Sequence, residues 1–133
     1  MQKTFPRSFD ALGDIYAFTE SLMDAADIDD GVRFPVHLAM EELFTNMVKH
    51  CPDNDNEVLL EIDVADGTVA VTLTDFGVDE FDVTAERDVD TTMPLDGRVP
   101  GGLGLHLVQR MVDKLEYEYR DRQSTVRFTK ESG

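Results

Sequence analysis

Hydrophobic positions along this chain recur with two distinct periods, and the switches between them mark out its elements. From about Phe9 to Ala26 the residues Leu12, Ile15, Tyr16, Phe18, Leu22 and Met23 return near helical spacing, and Ser8 is placed to cap the start. Asp27-Ile28-Asp29-Asp30-Gly31 reads as a loop. Pro35 suits the first turn of a second helix running to about His50, which the turn formers of Cys51-Pro52-Asp53-Asn54-Asp55-Asn56 end. The period then drops to two. Val58, Leu60, Ile62 and Val64 alternate with Leu59, Glu61, Asp63 and Ala65. Asp66-Gly67 signals a hairpin, and Val69, Val71 and Leu73 carry the alternation back to Asp75-Phe76-Gly77. Residues 78–100 follow neither period and hold Pro94, Gly97 and Pro100, as expected of a long loop acting as a lid. A third helix is predicted from near Leu103 to about Lys114, then a hairpin over 115–120 and 124–129. Residues 1–7 form a short strand or an arm.

The order helix, helix, two strands, loop, helix, two strands lacks regular βαβ alternation. It predicts an α+β fold, a two-layer α/β sandwich with helices on one face of a mixed, mainly antiparallel sheet. A length of 133 residues suits one domain spanning 1–133.

Charge narrows the function. Twelve basic against 28 acidic side chains leave a net charge of −16, which argues against direct nucleic-acid binding. A partner with a basic surface is permitted, although a well-solvated or halophilic surface explains the charge equally well. No apolar run approaches the about 18 residues of a membrane span, so no membrane partner is expected. The N-terminus lacks the apolar core of a secretory signal, and the single Cys51 cannot form an internal disulfide. A cytoplasmic location is therefore expected.

Three local patterns carry candidate chemistry. On the second helix, Val36, Met40, Leu43, Phe44, Met47, Val48 and Cys51 share a side that should pack on the sheet. Glu42, Asn46 and Lys49 group on another, with His50 at its margin. The i, i+4 spacing brings Glu42 and Asn46 together. An amide oxygen suits Mg²⁺, a carboxylate one turn away can take a hydroxyl proton, and Lys49 could add charge near phosphates. Alone, E-x-x-x-N also describes a solvated helix face. His37 and His106 carry no pairing signal. Asp75 at a strand end could accept a hydrogen bond from an exocyclic amine, with Gly77 permitting a flat ring to approach; a plain turn reads the same way. Gly101-Gly102-Leu103-Gly104 precedes a helix, whose free N–H groups suit phosphate oxygens. It is neither a P-loop nor a Rossmann fingerprint, and a flexible hinge remains an alternative.

Taken together these residues resemble the ATP-binding boxes of the histidine-kinase-like, or GHKL, ATPases, and in detail those of the bacterial anti-sigma-factor serine/threonine kinases. Met40-Glu41-Glu42-Leu43-Phe44-Thr45-Asn46, with His50 behind it, is similar to the first box. Asp75-Phe76-Gly77 with Phe81-Asp82 resembles the second. Gly101-Gly102-Leu103-Gly104-Leu105-His106-Leu107-Val108 with Met111-Val112-Asp113 resembles the third. The likeness spans essentially the whole chain and implies a Bergerat-type ATP-binding fold with ATP and Mg²⁺ as cofactors. It implies Glu42 as general base, Asn46 as Mg²⁺ ligand, Asp75 on the adenine amine and Gly77 along the ring. Gly102 and Gly104 would contact phosphates, with Gly101, Leu103 and Leu105 completing that box and residues 82–100 as the ATP lid. Arg98 is the candidate phosphate contact in an otherwise acidic lid, and Asp79 stands where a further glycine would extend the second box. The sequence holds no dimerising hairpin with a phospho-accepting histidine, so a complete sensor histidine kinase is not expected. The resemblance implies an anti-sigma factor that binds a sigma factor and phosphorylates a STAS-domain antagonist, and it suggests a homodimer. A non-catalytic ATP-binding module that switches a protein partner is the alternative.

Overall fold

The computed structural model describes residues 1–50, 54–81 and 102–131. Strand β1 (Gln2–Phe5) leads through a 3-10 turn at Phe9–Ala11 into helix α1 (Leu12–Ala25), followed by α2 (Asp30–His50). The hairpin β2 (Val58–Ala65) and β3 (Thr68–Phe76) comes next. Helix α3 (Gly102–Met111) and the hairpin β4 (Lys114–Arg120) and β5 (Gln123–Glu131) complete the order. The strands form one sheet in the order β1-β2-β3-β5-β4. Every pairing is antiparallel, so the mixed sheet expected from the sequence is wholly antiparallel among the described residues. No helix among them is long and apolar enough to cross a membrane.

Period-two alternation builds the core face. Ile62, Val71 and Phe128 lie side by side across the sheet, as do Leu60, Leu73 and Val126, and all six are buried. The same alternation along β3 and β5 carries Asp75 and its partner Ser124 onto this face at one end of the sheet, where both are buried. Both two-residue hairpin turns use left-handed backbone. Asp66 and Gly67 have φ of 53° and 78°, and Asp121 and Arg122 have 51° and 62°, as a type I′ turn requires.

Helix α2 lies on this face and contacts α1, α3, β3 and β5. It buries Val32, Val36, Ala39, Met40, Leu43, Phe44, Asn46 and Met47. Its start at Asp30 corrects the expected start at Pro35. Val32 and Val36 are buried one turn apart, so the apolar stripe extends the helix backwards. The bond that Pro35 cannot donate belongs to the carbonyl of exposed Gly31, which water can serve. At the other boundary, Asp113 N–H donates to Thr129 O at 2.9 Å and Lys114 pairs with Thr129. The sheet thereby claims Lys114, which the sequence had suggested would end the helix.

Helix α1 is tied to α2 by a polar cluster. Glu20 meets Arg33 and His37, each at 2.6 Å, and Arg33 also pairs with Asp24 and donates to Ile28 O at 2.8 Å. The His37 hydrogen bond first, and Arg33 with it, hold the Glu20 carboxyl below its ordinary range. The Tyr16 ring stacks on His37 with centroids 4.1 Å apart.

Candidate functional site

Between the end of α2 and the Asp75 end of the sheet lies a cleft of about 360 Å³, counting its open mouth. Leu43, Asn46, Met47 and His50 line it from α2, and Asp75, Ser124 and Val126 from the sheet; Val78, Asp79 and Phe81 close one side. The cleft is apolar with a few polar groups aimed into it, which is how small-ligand sites are usually built. Two residues that the sequence had set 29 positions apart, Asn46 and Asp75, thus face one space.

Asn46 is only 7% exposed. Its amide takes no hydrogen bond or ion pair from any of the described residues, and a polar side chain so placed calls for a ligand or water. Among the described residues no group of three His, Cys, Asp or Glu could hold a metal ion by itself. The Asn46 amide oxygen is a hard donor of the kind Mg²⁺ accepts, since that ion takes one or two protein oxygens and fills its octahedron with phosphate oxygens and water.

Asp75 is held differently. Its Oδ1 accepts from Nη2 of Arg7, and the two side chains are 4% and 3% exposed. Nη1 of Arg7 donates to the Met47 carbonyl at 2.8 Å, near the C-terminal end of α2, where carbonyls lack partners within the helix and a cation is favoured. The arm after β1 therefore fastens α2 to β3 at the cleft.

The segment after Asp75 is pinned from several sides. Asn54 Nδ2 donates to Phe76 O at 2.6 Å and to Gly77 O at 3.2 Å, and Asn56 Nδ2 donates to Phe76 O at 3.2 Å. Val78 N–H donates to Arg122 O at 3.0 Å, Tyr119 Oη donates to Val78 O at 2.8 Å, and Tyr117 Oη accepts from Phe81 N–H at 3.0 Å. Phe81 meets His50 ring to ring, 3.8 Å between centroids and tilted by 34°. The last residue of α2 thus packs on the last described residue before the acidic segment.

Gly77 has φ of +69°, and a Cβ there would come within 2.8 Å of Asn56 Nδ2. Gly77→Ala is expected to lose about 1–2 kcal/mol of stability from the left-handed backbone alone, and more as Asn56 gives up Phe76 O. Urea unfolding checks this; unchanged stability would mean the turn relaxes freely.

The remaining predicted residues are distributed as follows. Glu42 is half-buried one turn before Asn46 and makes no hydrogen bond or ion pair among the described residues; it does not line the cleft. Lys49 is exposed and does not line it either. Gly102, Leu103 and Gly104 open α3, whose first turn carries no acidic residue. Leu105 is buried in the core. Arg98, Gly101 and the lid over 82–100 lie outside the described residues. Arg7, Ser124 and the tilted His50–Phe81 ring contact belong to this region without being marked by any sequence motif. Ser124 could have been found, since it continues the inward alternation of Val126 and Phe128. Arg7 could not, because nothing local points it at Asp75.

The description "histidine kinase-like ATPase domain" belongs to a family model that matches residues 5–130. Over 94 residues the chain is 31% identical to the serine-protein kinase RsbW of Halalkalibacterium halodurans. That alignment covers 68% of this chain and 54% of RsbW, so the chain spans about half of that relative's length. Among solved structures, the RsbU and RsbW domains of a Mycobacterium tuberculosis protein superpose with a TM-score of 0.70 at 16% identity, over 98% of this chain and 32% of that one. A chain of the SiaB–SiaC complex from Pseudomonas aeruginosa superposes with a TM-score of 0.72 at 16% identity, over 97% and 88%. At that identity the two structures establish a shared fold.

Proposed function

The chain belongs to the histidine kinase-like ATPase domain family, and from that we propose an ATP-dependent serine/threonine protein kinase acting as an anti-sigma factor. It would bind a sigma factor and phosphorylate a STAS-type antagonist. The observation that carries this reading is one cleft shared by the Asn46 amide, which has no partner among the described residues, and the buried Asp75 carboxylate. The likeness to a serine-protein kinase supports phosphotransfer, and the neighbour solved in complex with a second protein supports a protein partner.

In this reading the adenine amine donates to Asp75 while the apolar walls from Leu43, Met47 and Val126 exclude water from the ring. Asn46 is the protein ligand to Mg²⁺, which when bound neutralises charge on the phosphates. The free N–H groups at the start of α3 receive phosphate oxygens, with Arg98 and Gly101 as further contacts and residues 82–100 as lid. Glu42 takes the proton of the substrate hydroxyl as its oxygen bonds to the γ-phosphorus and the bond to the ADP oxygen breaks. Because phosphoryl transfer depends mainly on positioning and charge, such a small set of groups suffices.

Calorimetric titration with ATP, first with Mg²⁺ and then with EDTA, tests the pocket. Binding is expected in Mg²⁺ and weaker binding in EDTA; no binding in either would sink the reading. A second reading, a nucleotide-dependent switch without phosphotransfer, is favoured by one observation: Glu42 does not line the cleft. Transfer of labelled phosphate to a cognate antagonist separates the two.

A further inference from the structure

We propose that Arg7 is a positioning residue for nucleotide selectivity, holding Asp75 so that its Oδ2 is presented to the six-position amine of adenine. The inference rests on the nucleotide reading of the cleft and adds a residue that lies outside its three sequence boxes. The geometry has three parts. First, Arg7 engages one oxygen of Asp75 only, Oδ1, and among the described residues Oδ2 takes no donor. Second, Asp75, Asn46 and Met47 line the cleft and Arg7 does not, so the guanidinium reaches the carboxylate from behind the wall and leaves the cleft open. Third, the same guanidinium grips the Met47 carbonyl, next in sequence to Asn46. One planar fork thus sets both the rotation of Asp75 and its spacing from the helix that carries Asn46.

The chemistry follows. An ionised carboxylate only accepts hydrogen bonds, and a neighbouring guanidinium favours the ionised form. The fixed acceptor matches the amine at position six of adenine and opposes the carbonyl oxygen that guanine presents there. A buried carboxylate without its guanidinium is free to rotate or to take up a proton, and then donates as readily as it accepts. Lysine keeps the charge, but as a point charge without the planar two-pronged geometry.

The test is calorimetric titration of wild type, Arg7→Lys and Arg7→Gln with Mg-ATP and with Mg-GTP, alongside urea unfolding of each protein. Wild type is expected to prefer ATP. Arg7→Gln is expected to lose about ten-fold or more of that preference, the scale of a hydrogen bond to a charged group, and Arg7→Lys is expected to recover part of it. Arg7→Lys preserves the buried charge balance, so it serves as the folded variant if Arg7→Gln unfolds; its ATP preference must then fall below that of wild type. A preference equal to wild type in every folded variant, whatever the loss of stability, would reduce Arg7 to a structural tie and overturn the proposal. No binding of either nucleotide to wild type would overturn the cleft reading and this proposal with it, whereas wild-type binding with unaltered selectivity in the variants overturns this one alone.

Discussion

Asp75→Ala is expected to lose about 3–5 kcal/mol of stability and all measurable ATP affinity. The stability loss comes from the partner left behind. Arg7 and Asp75 are 3% and 4% exposed, and removing one member of a buried ion pair takes away the charge that offsets the other's burial. The affinity loss comes from the adenine amine, which would face no acceptor. A double variant separates the two. In Arg7→Met/Asp75→Leu both charges are replaced by apolar side chains, which is often neutral for a buried pair. It should unfold in urea close to wild type yet still fail to bind ATP in calorimetry. An Asp75→Ala protein as stable as wild type would show that the pair is open to solvent. A double variant that binds ATP normally would remove Asp75 from the nucleotide site.

Glu42→Gln is expected to reduce phosphate transfer to the antagonist by about 10²–10⁴-fold, the usual contribution of a positioned general base, while the ATP dissociation constant stays near that of wild type. Glutamine keeps the size of the side chain and its place on α2 but cannot take a proton. Glu42 is half-buried, makes no ion pair among the described residues and lies one turn from Asn46, so nothing in the described fold depends on its charge. Equal transfer rates for the two proteins would end its role as base and favour the non-catalytic switch. A matching fall in ATP affinity would instead make Glu42 a binding residue.

Much of this architecture was readable from local patterns. The alternation of Val58, Leu60, Ile62 and Val64 and the Asp66-Gly67 turn located the β2–β3 hairpin, and Ser8 caps the 3-10 turn before α1, its Oγ accepting from Asp10 N–H at 3.2 Å. These signals are local because a period or a cap involves residues a few positions apart. Boundaries failed where distant packing intervened. Burial of Val32 drew the start of α2 back to Asp30, and pairing with Thr129 drew Lys114 into β4. His37, which carried no pairing signal, meets Glu20 because α1 and α2 lie side by side.

The candidate site divides the same way. By itself the sequence determined which residue types could handle a nucleotide and where two of them fall within their elements. It set Asn46 with Glu42 and Lys49 apart from the apolar side of α2, whereas the structure buries Asn46 with Leu43 and Met47 in a cleft that Glu42 and Lys49 do not line. Asn46 is one helical turn beyond Glu42, and Asp75 is the next inward position after Val69, Val71 and Leu73. Backbone periodicity alone sets both placements, since 3.6 and 2 residues per repeat are properties of each element. Only the tertiary structure decided that Asn46 and Asp75 share one cleft, that Asn46 is buried there without a hydrogen-bond partner among the described residues, and that Arg7, 68 positions away, holds Asp75. An ion pair across that distance has no period to announce it. It forms because the hydrophobic burial of α2 on the sheet brings the arm, the helix end and the strand end to one point, and a carboxylate buried there needs a cation beside it.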